Sequence, residues 1–204
     1  MRAPVKLFLA SSNPGKLKEY RVLAENTALS APFELALLPE FESLPVFAEN
    51  APTFAENAAG KALHYSRFQE EMVFADDSGL VVPALGGAPG VHSARYVGAG
   101  AENSQRIEKL LREMCDKQGE ERAAHFVCAI ALARQGRPLA VVTGRVDGEI
   151  LEVPRGTGGF GYDPVFYFPA LKKTFAELSE EEKNHYSHRG KAFRKLLAAL
   201  LSML

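Results

Sequence analysis

Residues 72–96 read MVFADDSGLVVPALGGAPGVHSARY, and the rest of the chain is organised around them. A short apolar run over 72–75 ends in two adjacent carboxylates, Asp76 and Asp77. Neighbouring side chains of a strand point to opposite faces, so both acids reach one point only if the chain turns between them. Ser78-Gly79 supplies residues for that turn. We therefore predict a strand, a turn over 76–79 and a second apolar run over 80–82.

Two acids at the end of a buried strand favour a cation site. Buried carboxylates are costly unless something cationic lies beside them, and a hard cation with oxygen ligands, Mg²⁺ above all, meets that need. The alternative is an Asx-type turn in a hairpin that binds nothing. These residues alone leave both interpretations open.

The composition indicates an ordinary soluble globular protein. The 204 residues are enough for one sizeable core with room for two lobes, and 47% of them are hydrophobic and 24% charged. A formal net charge of −1 gives no reason to expect a nucleic acid or an anionic membrane as partner. There is no apolar run of eighteen residues, and Cys115 and Cys128 are interpreted as free buried thiols. A reducing, cytoplasmic compartment is the expectation.

The N-terminal segment has the pattern of an anion site. An apolar strand over 5–10 leads into the polar segment 11–16, SSNPGK, and then into apolar residues at helical spacing. Asn13 can cap the helix, with Pro14 at its first position. Free N–H groups at the helix N-terminus and the charge of Lys16 favour phosphate. The spacing is not that of a Walker loop, and the alternative is a capped helix with a solvated lysine.

Patterns along the rest of the chain predict alternating strands and helices. After a strand over 33–38, the proline-rich segment 39–52 is a loop in which Glu49 is a candidate metal ligand. Thr53 and Glu56 form a capping box, so a helix should run to about residue 70 with Lys61 exposed on it. Further predictions are a helix over 103–117, strands over 125–134 and 139–146 joined by a hairpin turn, a turn at 147–148, a capped helix after Ser179 and an apolar helical face from 193 to Leu204.

The segment 156–164, GTGGFGYDP, has the composition of a ligand-binding loop. Four glycines in six residues allow the backbone to approach a ligand closely. A flat base could stack on Phe160 or Tyr162 while Asp163 accepts hydrogen bonds. The alternative is a flexible turn with half-buried aromatic rings.

Together these segments make the chain similar to the inosine/xanthosine triphosphate pyrophosphatase family, which acts on deaminated purine nucleotides. The matching segments span nearly the whole chain, in order. They are SSNPGK at 11–16, TFAENA at 53–58, ADDSGL at 75–80, GGAPGVHSARY at 86–96, GTGGFGYDPVF at 156–166 and SHRG at 187–190.

The resemblance implies an α/β fold: an elongated mixed β-sheet flanked by helices, with two lobes around a central cleft in one domain over 1–204, usually as a homodimer. It also implies Mg²⁺-dependent hydrolysis of ITP, dITP and XTP to nucleoside monophosphate and pyrophosphate. Nucleic acid and membrane are not expected as partners.

The resemblance also assigns residue roles. Asp77 is the expected general base and, with Glu49, a metal ligand. Ser78 is expected to touch the substrate, and Lys183 to meet phosphate. His188 and Arg189 are expected to donate to the 6-oxo group of the base, which would leave donors unpaired against adenine. The triphosphate is expected at Ser11, Ser12, Asn13, Pro14, Gly15 and Lys16, and the base and sugar at Phe160, Gly161, Tyr162 and Asp163.

One segment departs from the family pattern. Many members carry Glu-Glu-Thr-Gly before the TF motif, whereas this chain has AENAP at 48–52, so one acid of the pair is missing. Two other functions stay open at this stage. One is a nucleotide pyrophosphatase for modified pyrimidines, and the other is a nucleotide sensor that binds without turnover.

Overall fold

The computed structural model describes residues 4–12, 14–25, 33–98 and 100–203. These residues form seven strands and five α-helices; three helices separate the first four strands, and the last two helices follow the seventh strand. The strands are β1 Val5–Leu9, β2 Phe33–Leu37, β3 Met72–Val81, β4 Ala123–Arg134, β5 Arg137–Ile150, β6 Phe166–Phe168 and β7 Lys173–Thr174. The helices are α1 Pro14–Glu25, α2 Phe54–Tyr65, α3 Asn103–Glu113, α4 Glu180–Tyr186 and α5 His188–Leu201.

The strands form one mixed sheet in the order β2-β1-β3-β4-β5-β6-β7. β1 is parallel to β2, with Val5 opposite Phe33, and parallel to β3, with Leu7 opposite Met72. β6 is antiparallel to β5 and to β7. The helices between β1, β2 and β3 are the crossovers that parallel strands require. The predicted mixed α/β sheet is thus confirmed.

Local signals account for most helix starts. α1 begins at Pro14, as predicted, whereas the predicted cap Asn13 lies outside the described residues. The Thr53 side chain accepts from the Glu56 N–H at the start of α2. Ser179 and Glu182 form a complete capping box on α4. α2 is shorter than predicted, because a 3₁₀ turn over Ser66–Phe68 replaces its expected last turns.

The chain divides into two compact units. The first unit comprises Met1–Asp77, Cys128–Gly144 and His188–Leu204, and the second comprises Ser78–Val127 and Arg145–Ser187. Strands β3, β4 and β5 each contribute residues to both units.

In the first unit the sheet is buried on both faces. Phe74 of β3 packs in one apolar cluster with Tyr20 of α1 and Phe193 of α5. Val73 and Ala75, its neighbours on β3, pack in a second cluster with Ala58 of α2. Since side chains alternate along a strand, α1 and α5 cover one face of β3 and α2 covers the other. The residues that follow on β3 should therefore face α1 and α5, or α2, in turn.

The second unit has its own aromatic core. Phe126 of β4 and Phe166 of β6 lie with ring centroids 4.5 Å apart, and Phe175 packs edge-on against Phe166 at 4.9 Å. Leu110 of α3 belongs to the same cluster. Edge-to-face and tilted arrangements of this kind add to the free energy gained from burial.

Three predicted turns differ from the structure. β3 continues unbroken through Asp76 to Val81, so neither the predicted turn at 76–79 nor the alternative Asx turn forms. β5 likewise continues through Asp147-Gly148. The hairpin between β4 and β5 turns at Gln135-Gly136 alone, both with positive φ, rather than over 135–138.

Further sequence expectations concern the burial of particular side chains and the possibility of a membrane-spanning helix. Cys128 is buried as predicted, but Cys115 is exposed. None of the helices in the described part of the chain has the length and apolar character that crossing a bilayer requires. The apolar face of the last helix is confirmed for Phe193, Leu196, Leu197 and Leu200, which are buried, while Leu204 lies outside the described residues.

Candidate active site

Asp76 and Asp77 lie on opposite faces of β3. Because the strand does not turn, the alternation that places Phe74 against α1 and α5 directs Asp76 to the same side. Asp77 follows Ala75 and faces α2. The two adjacent carboxylates therefore have different partners and different chemistry.

Asp76 is buried in an ion-pair network with α1 and α5. Its Oδ1 accepts from Lys16 Nζ at 2.9 Å, and Arg189 Nε lies 3.6 Å from its Oδ2. Arg189 in turn donates to Glu19 Oε2 at 2.9 Å. Burial alone would raise the pKa of Asp76, but the charges of Lys16 and Arg189 outweigh it and hold that pKa well below its ordinary value. Asp76 is therefore a structural anion that holds Lys16 in place.

Asp77 is only half buried, and its carboxylate has a different environment. Its Oδ2 accepts from Asn57 Nδ2 of α2 at 3.0 Å. Burial raises the pKa of Asp77 to about 6, and the nearby negative charges of Glu49 and Asp76 add to the rise while the Asn57 hydrogen bond opposes it. A carboxylate with a pKa near neutrality can accept a proton in a reaction at physiological pH.

Glu49 belongs to the loop that precedes α2. Its Oε1 accepts from Lys61 Nζ at 2.6 Å, which corrects the expectation that Lys61 would be exposed. Burial lowers the pKa of Lys61, but the charge of Glu49 more than compensates and the net pKa is raised. Glu49 acts on the pKa of Asp77 through its charge, so the two predicted metal ligands belong to one electrostatic environment.

The predicted phosphate segment follows β1. Ser11 is buried and Ser12 is exposed, Pro14 and Gly15 open α1, and Lys16 contacts Asp76 as described. Ser11 and Ser12 line a pocket of about 640 Å³, together with residues that follow β2. Its other lining residues are Leu37, Leu38, Glu40, Phe41, Glu42 and Ser43. The predicted contact of Asn13 lies outside the described residues.

In the second unit the glycine-rich loop gathers an aromatic ring, an acid and a lysine. Lys183 Nζ of α4 donates to Asp163 Oδ2 at 2.6 Å and lies 4.4 Å from the centroid of the Phe160 ring. The Phe160 N–H donates to the same carboxylate at 2.8 Å. Gly159 has φ +72° and a Cβ there would overlap the Asp163 carboxylate, so glycine is needed for this close approach.

The two aromatic residues of this loop differ in accessibility. Phe160 is 51% exposed, with Lys183 Nζ over its ring. Tyr162 is buried and its hydroxyl donates to the Ser93 carbonyl at 2.9 Å. Phe160 is therefore the ring that can stack on a base, and Tyr162 serves the packing of the loop. Gly161, between them, has positive φ.

The remaining predicted residues are Ser78, His188 and Arg189. Ser78 is half buried in β3, next to Asp77. His188 and Arg189 open α5 and are both buried. The Arg189 guanidinium is held by Glu19 and Asp76, a role that the sequence did not indicate.

The donor set at Asp77 and Glu49 suits Mg²⁺. Among the described residues no three His, Cys, Asp or Glu side chains lie together as a metal cluster. Mg²⁺ does not require such a cage, because it keeps several waters and binds through one or two carboxylates plus substrate phosphates. The raised pKa of Asp77 also reflects negative charge that a cation would compensate.

Sequence reasoning missed Asn57 and Glu19, and it placed Asp76 in a candidate cation site without identifying Lys16 as its partner. Asn57 donates to Asp77, Glu19 accepts from Arg189, and Asp76 accepts from Lys16. Glu19 is 170 residues from its partner Arg189, so its sequence neighbours give no signal of this role. The partners of Asn57 and Asp76 are 20 and 60 residues distant, so no local spacing identifies them.

Fold and side chains together define an α/β protein with a carboxylate–lysine site suited to a phosphorylated ligand. The chain belongs to the Ham1 family, whose model matches residues 7–199. It is 51% identical over 191 residues to a dITP/XTP pyrophosphatase of Geobacillus kaustophilus, covering 94% of this chain and 92% of the relative. It is also 48% identical over 197 residues to a dITP/XTP pyrophosphatase of Thermus thermophilus, and this match covers 96% of this chain and 91% of the relative.

Solved structures agree with this assignment. A HAM1 protein from Coxiella burnetii superposes with a TM-score of 0.85 at 40% identity, covering 97% of this chain and 99% of that one. The Ham1 protein of Staphylococcus aureus also superposes with a TM-score of 0.85, at 37% identity, and the match covers 98% of this chain and 100% of that one. The fold expected from the sequence is thus that of the Ham1 family.

Proposed function

We propose that this chain hydrolyses the deaminated purine nucleotides ITP, dITP and XTP to nucleoside monophosphate and pyrophosphate, which removes them from the nucleotide pool. The observation that carries this proposal is membership of the Ham1 family together with close similarity to relatives named dITP/XTP pyrophosphatases. The chain is therefore a hydrolase.

Asp77 is the proposed general base. A water molecule attacks the α-phosphorus, the bond from that phosphorus to the bridging oxygen breaks, and pyrophosphate leaves. The proton of the water passes to the Asp77 carboxylate, whose pKa of about 6 leaves it largely ionised at neutral pH and still basic enough to accept.

The cationic side chains are proposed to bind the triphosphate. Lys16, held by buried Asp76, supplies a positive charge beside the segment 11–15, and Lys183 supplies a second one. Ser78 is proposed to contact the substrate next to the base. Mg²⁺ at Asp77 and Glu49 would neutralise phosphate charge and favour pyrophosphate as the leaving group.

Base selectivity is proposed to come from fixed donors. Phe160 offers an exposed ring for stacking, and Asp163 accepts hydrogen bonds from the loop and from Lys183. His188 and Arg189 are proposed to face the 6-oxo group, and the ion pairs of Arg189 hold its guanidinium in one position. Adenine would leave these donors unpaired, which penalises ATP.

Pyrophosphate release from ITP, dITP, XTP, dUTP and ATP tests the proposal. We expect kcat/KM for the deaminated purines to exceed that for ATP by about two orders of magnitude or more, and Asp77→Asn to abolish turnover. Comparable rates on ATP and ITP contradict the selectivity, and preference for dUTP would identify a pyrimidine enzyme. Binding of ITP without turnover by the unmodified chain would identify a sensor.

We further propose that the chain is a single domain with two lobes and that it forms a homodimer in the cytoplasm. The support for the dimer is the resemblance of the motifs to a family that is usually dimeric. Sedimentation velocity of the purified chain should give twice the chain mass of 22.2 kDa. A species at the chain mass at micromolar concentration would contradict the dimer.

A further inference from the structure

Asn57 is a fully buried polar residue whose side chain makes three hydrogen bonds. Its Oδ1 accepts from the Ala51 N–H at 2.9 Å, and its Nδ2 donates to the Ala51 carbonyl at 3.3 Å. The same Nδ2 donates to Asp77 Oδ2 at 3.0 Å. The residue is 0% exposed, so each of these bonds would be costly to lose.

The pairing with Ala51 fixes the orientation of the amide. A primary amide has one carbonyl and two N–H protons. Ala51 takes the carbonyl and one proton, which leaves the second proton for Asp77. Neither bond to Ala51 could form if the amide were rotated by half a turn, because two donors and two acceptors would then face each other. The Asp77 carboxylate therefore meets a donor with one fixed direction.

Ala51 lies two residues after Glu49 on the same loop. Asn57 thus connects the loop that carries one proposed metal ligand to the carboxylate of the other. Asn57 itself is held by α2, whose apolar residues Ala58 and Ala62 pack on the same face of the sheet as Ala75. The connection consequently rests on a packed helix rather than on the loop alone.

We propose that Asn57 is a positioning residue that sets the relation between Asp77 and the Glu49 loop and so prepares them to bind the divalent cation. This inference rests on the proposed function, which assigns the cation to Asp77 and Glu49. The proposed role of Asn57 is indirect, because it acts through the carboxylate of Asp77 and the backbone of Ala51. Partners that orient ligating carboxylates commonly change metal affinity by 10- to 100-fold when they are removed.

The test compares Asn57→Ser and Asn57→Leu with Thr53→Ala. Thr53 caps the same helix through the Glu56 N–H, so its loss weakens α2 without removing any bond to Asp77 or Ala51. Mg²⁺ affinity is measured by isothermal titration calorimetry on the substrate-free chain. We expect the Asn57 variants to bind Mg²⁺ about tenfold or more weakly, and Thr53→Ala to bind as the unmodified chain does.

Equal Mg²⁺ affinity in Asn57→Ser and Thr53→Ala overturns the proposal, whether both are normal or both are weakened. A measurement on the unmodified chain covers the case in which both Asn57 variants fail to fold. The side-chain amide resonances of Asn57 should shift as Mg²⁺ is titrated, and an absence of any shift at saturation would also overturn it. If Mg²⁺ binding responds as expected while ITP is not hydrolysed, the positioning role stands and the proposed function fails.

Discussion

At the scale of single residues, the adjacent acids Asp76 and Asp77 show how neighbours in sequence acquire opposite chemistry. Asp76 meets Lys16 and Arg189 and its pKa is lowered, whereas Asp77 meets an amide and other carboxylates and its pKa is raised. The cause is the alternation of side chains along β3. Asp77 therefore carries a charge at neutral pH that its surroundings disfavour.

We expect Asp77→Asn to stabilise the metal-free chain at neutral pH. With a folded pKa of about 6 and an ordinary value of 3.8, the folded state binds the proton more tightly than the unfolded state. The free energy of unfolding therefore falls as pH rises from about 4 to about 6, and it stays lower above that range. The variant should gain about 1–2 kcal/mol at pH 7, because asparagine carries no charge and keeps an acceptor for Asn57.

Urea denaturation in EDTA at pH 7 and at pH 4 measures this difference. At pH 4 Asp77 is almost fully protonated in the folded state and about 40% protonated in the unfolded state, so most of the difference in stability between the two proteins should be lost there. A gain of the same size at both pH values would show that charge is not the cause.

Gly159 and Gly161 provide a matched pair in the glycine-rich loop. Both have positive φ, so alanine strains the backbone at either position, but only at Gly159 would the new Cβ overlap the Asp163 carboxylate. We expect Gly161→Ala to lower the free energy of unfolding by about 1 kcal/mol and Gly159→Ala to lower it by at least about 1 kcal/mol more. Urea denaturation of both variants tests this, and equal losses would refute the role of the close approach.

Several site residues could be predicted because their motifs are local. Lys16 follows a strand and opens a helix, and Phe160 and Asp163 lie among glycines. The roles of Asn57 and Arg189 could not be predicted, since their partners are brought to them by tertiary packing. Tyr162 is an aromatic residue among glycines, which is typical of a stacking residue, and only the structure shows that its hydroxyl donates to the Ser93 carbonyl.

At the scale of elements, β3 shows where local signals are overridden. The residues DDSG at 76–79 are typical of a turn, yet the strand runs through them. Lys16 and Arg189 compensate the charge of Asp76, and Leu80 donates its N–H to Ser93 Oγ at 2.9 Å, so tertiary partners offset the cost of burying this polar stretch in a strand. The starts of α1, α2 and α4 were predicted because their signals lie within four residues, whereas α5 begins at His188, before the predicted apolar face from 193.

The cap of α4 gives a prediction at this scale. Ser179 accepts from the Glu182 N–H at 3.1 Å, and this seven-residue helix carries Lys183. We expect Ser179→Ala to lower the free energy of unfolding by about 1 kcal/mol and to raise KM for ITP, because the helix that holds Lys183 becomes less ordered. Ser202→Ala, near the end of the chain, is the control and should leave KM unchanged. Unaltered KM in Ser179→Ala would count against a phosphate role for Lys183.

At the scale of the whole molecule, the free energy of folding should depend on the cation. A ligand that binds only the folded state stabilises it by about 2.7 kcal/mol at a hundred times its Kd. We expect the Tm of the unmodified chain to rise when Mg²⁺ is added to EDTA-treated protein, and that of Asp77→Asn to change little. Differential scanning calorimetry measures this, with NaCl of equal ionic strength as the control. An equal rise in both proteins would place the cation elsewhere.

The division of the chain between its two units has a consequence for biosynthesis. The second unit is complete once residue 187 has been translated, but the first unit also needs its third segment, His188–Leu204. Until α5 emerges from the ribosome, Asp76 lacks Arg189, and the face of β3 that Phe193 covers is open to water. A chain truncated after residue 187 should thus contain Lys16, Asp76 and Asp77 but lack Arg189, and it should expose that apolar face to chaperones.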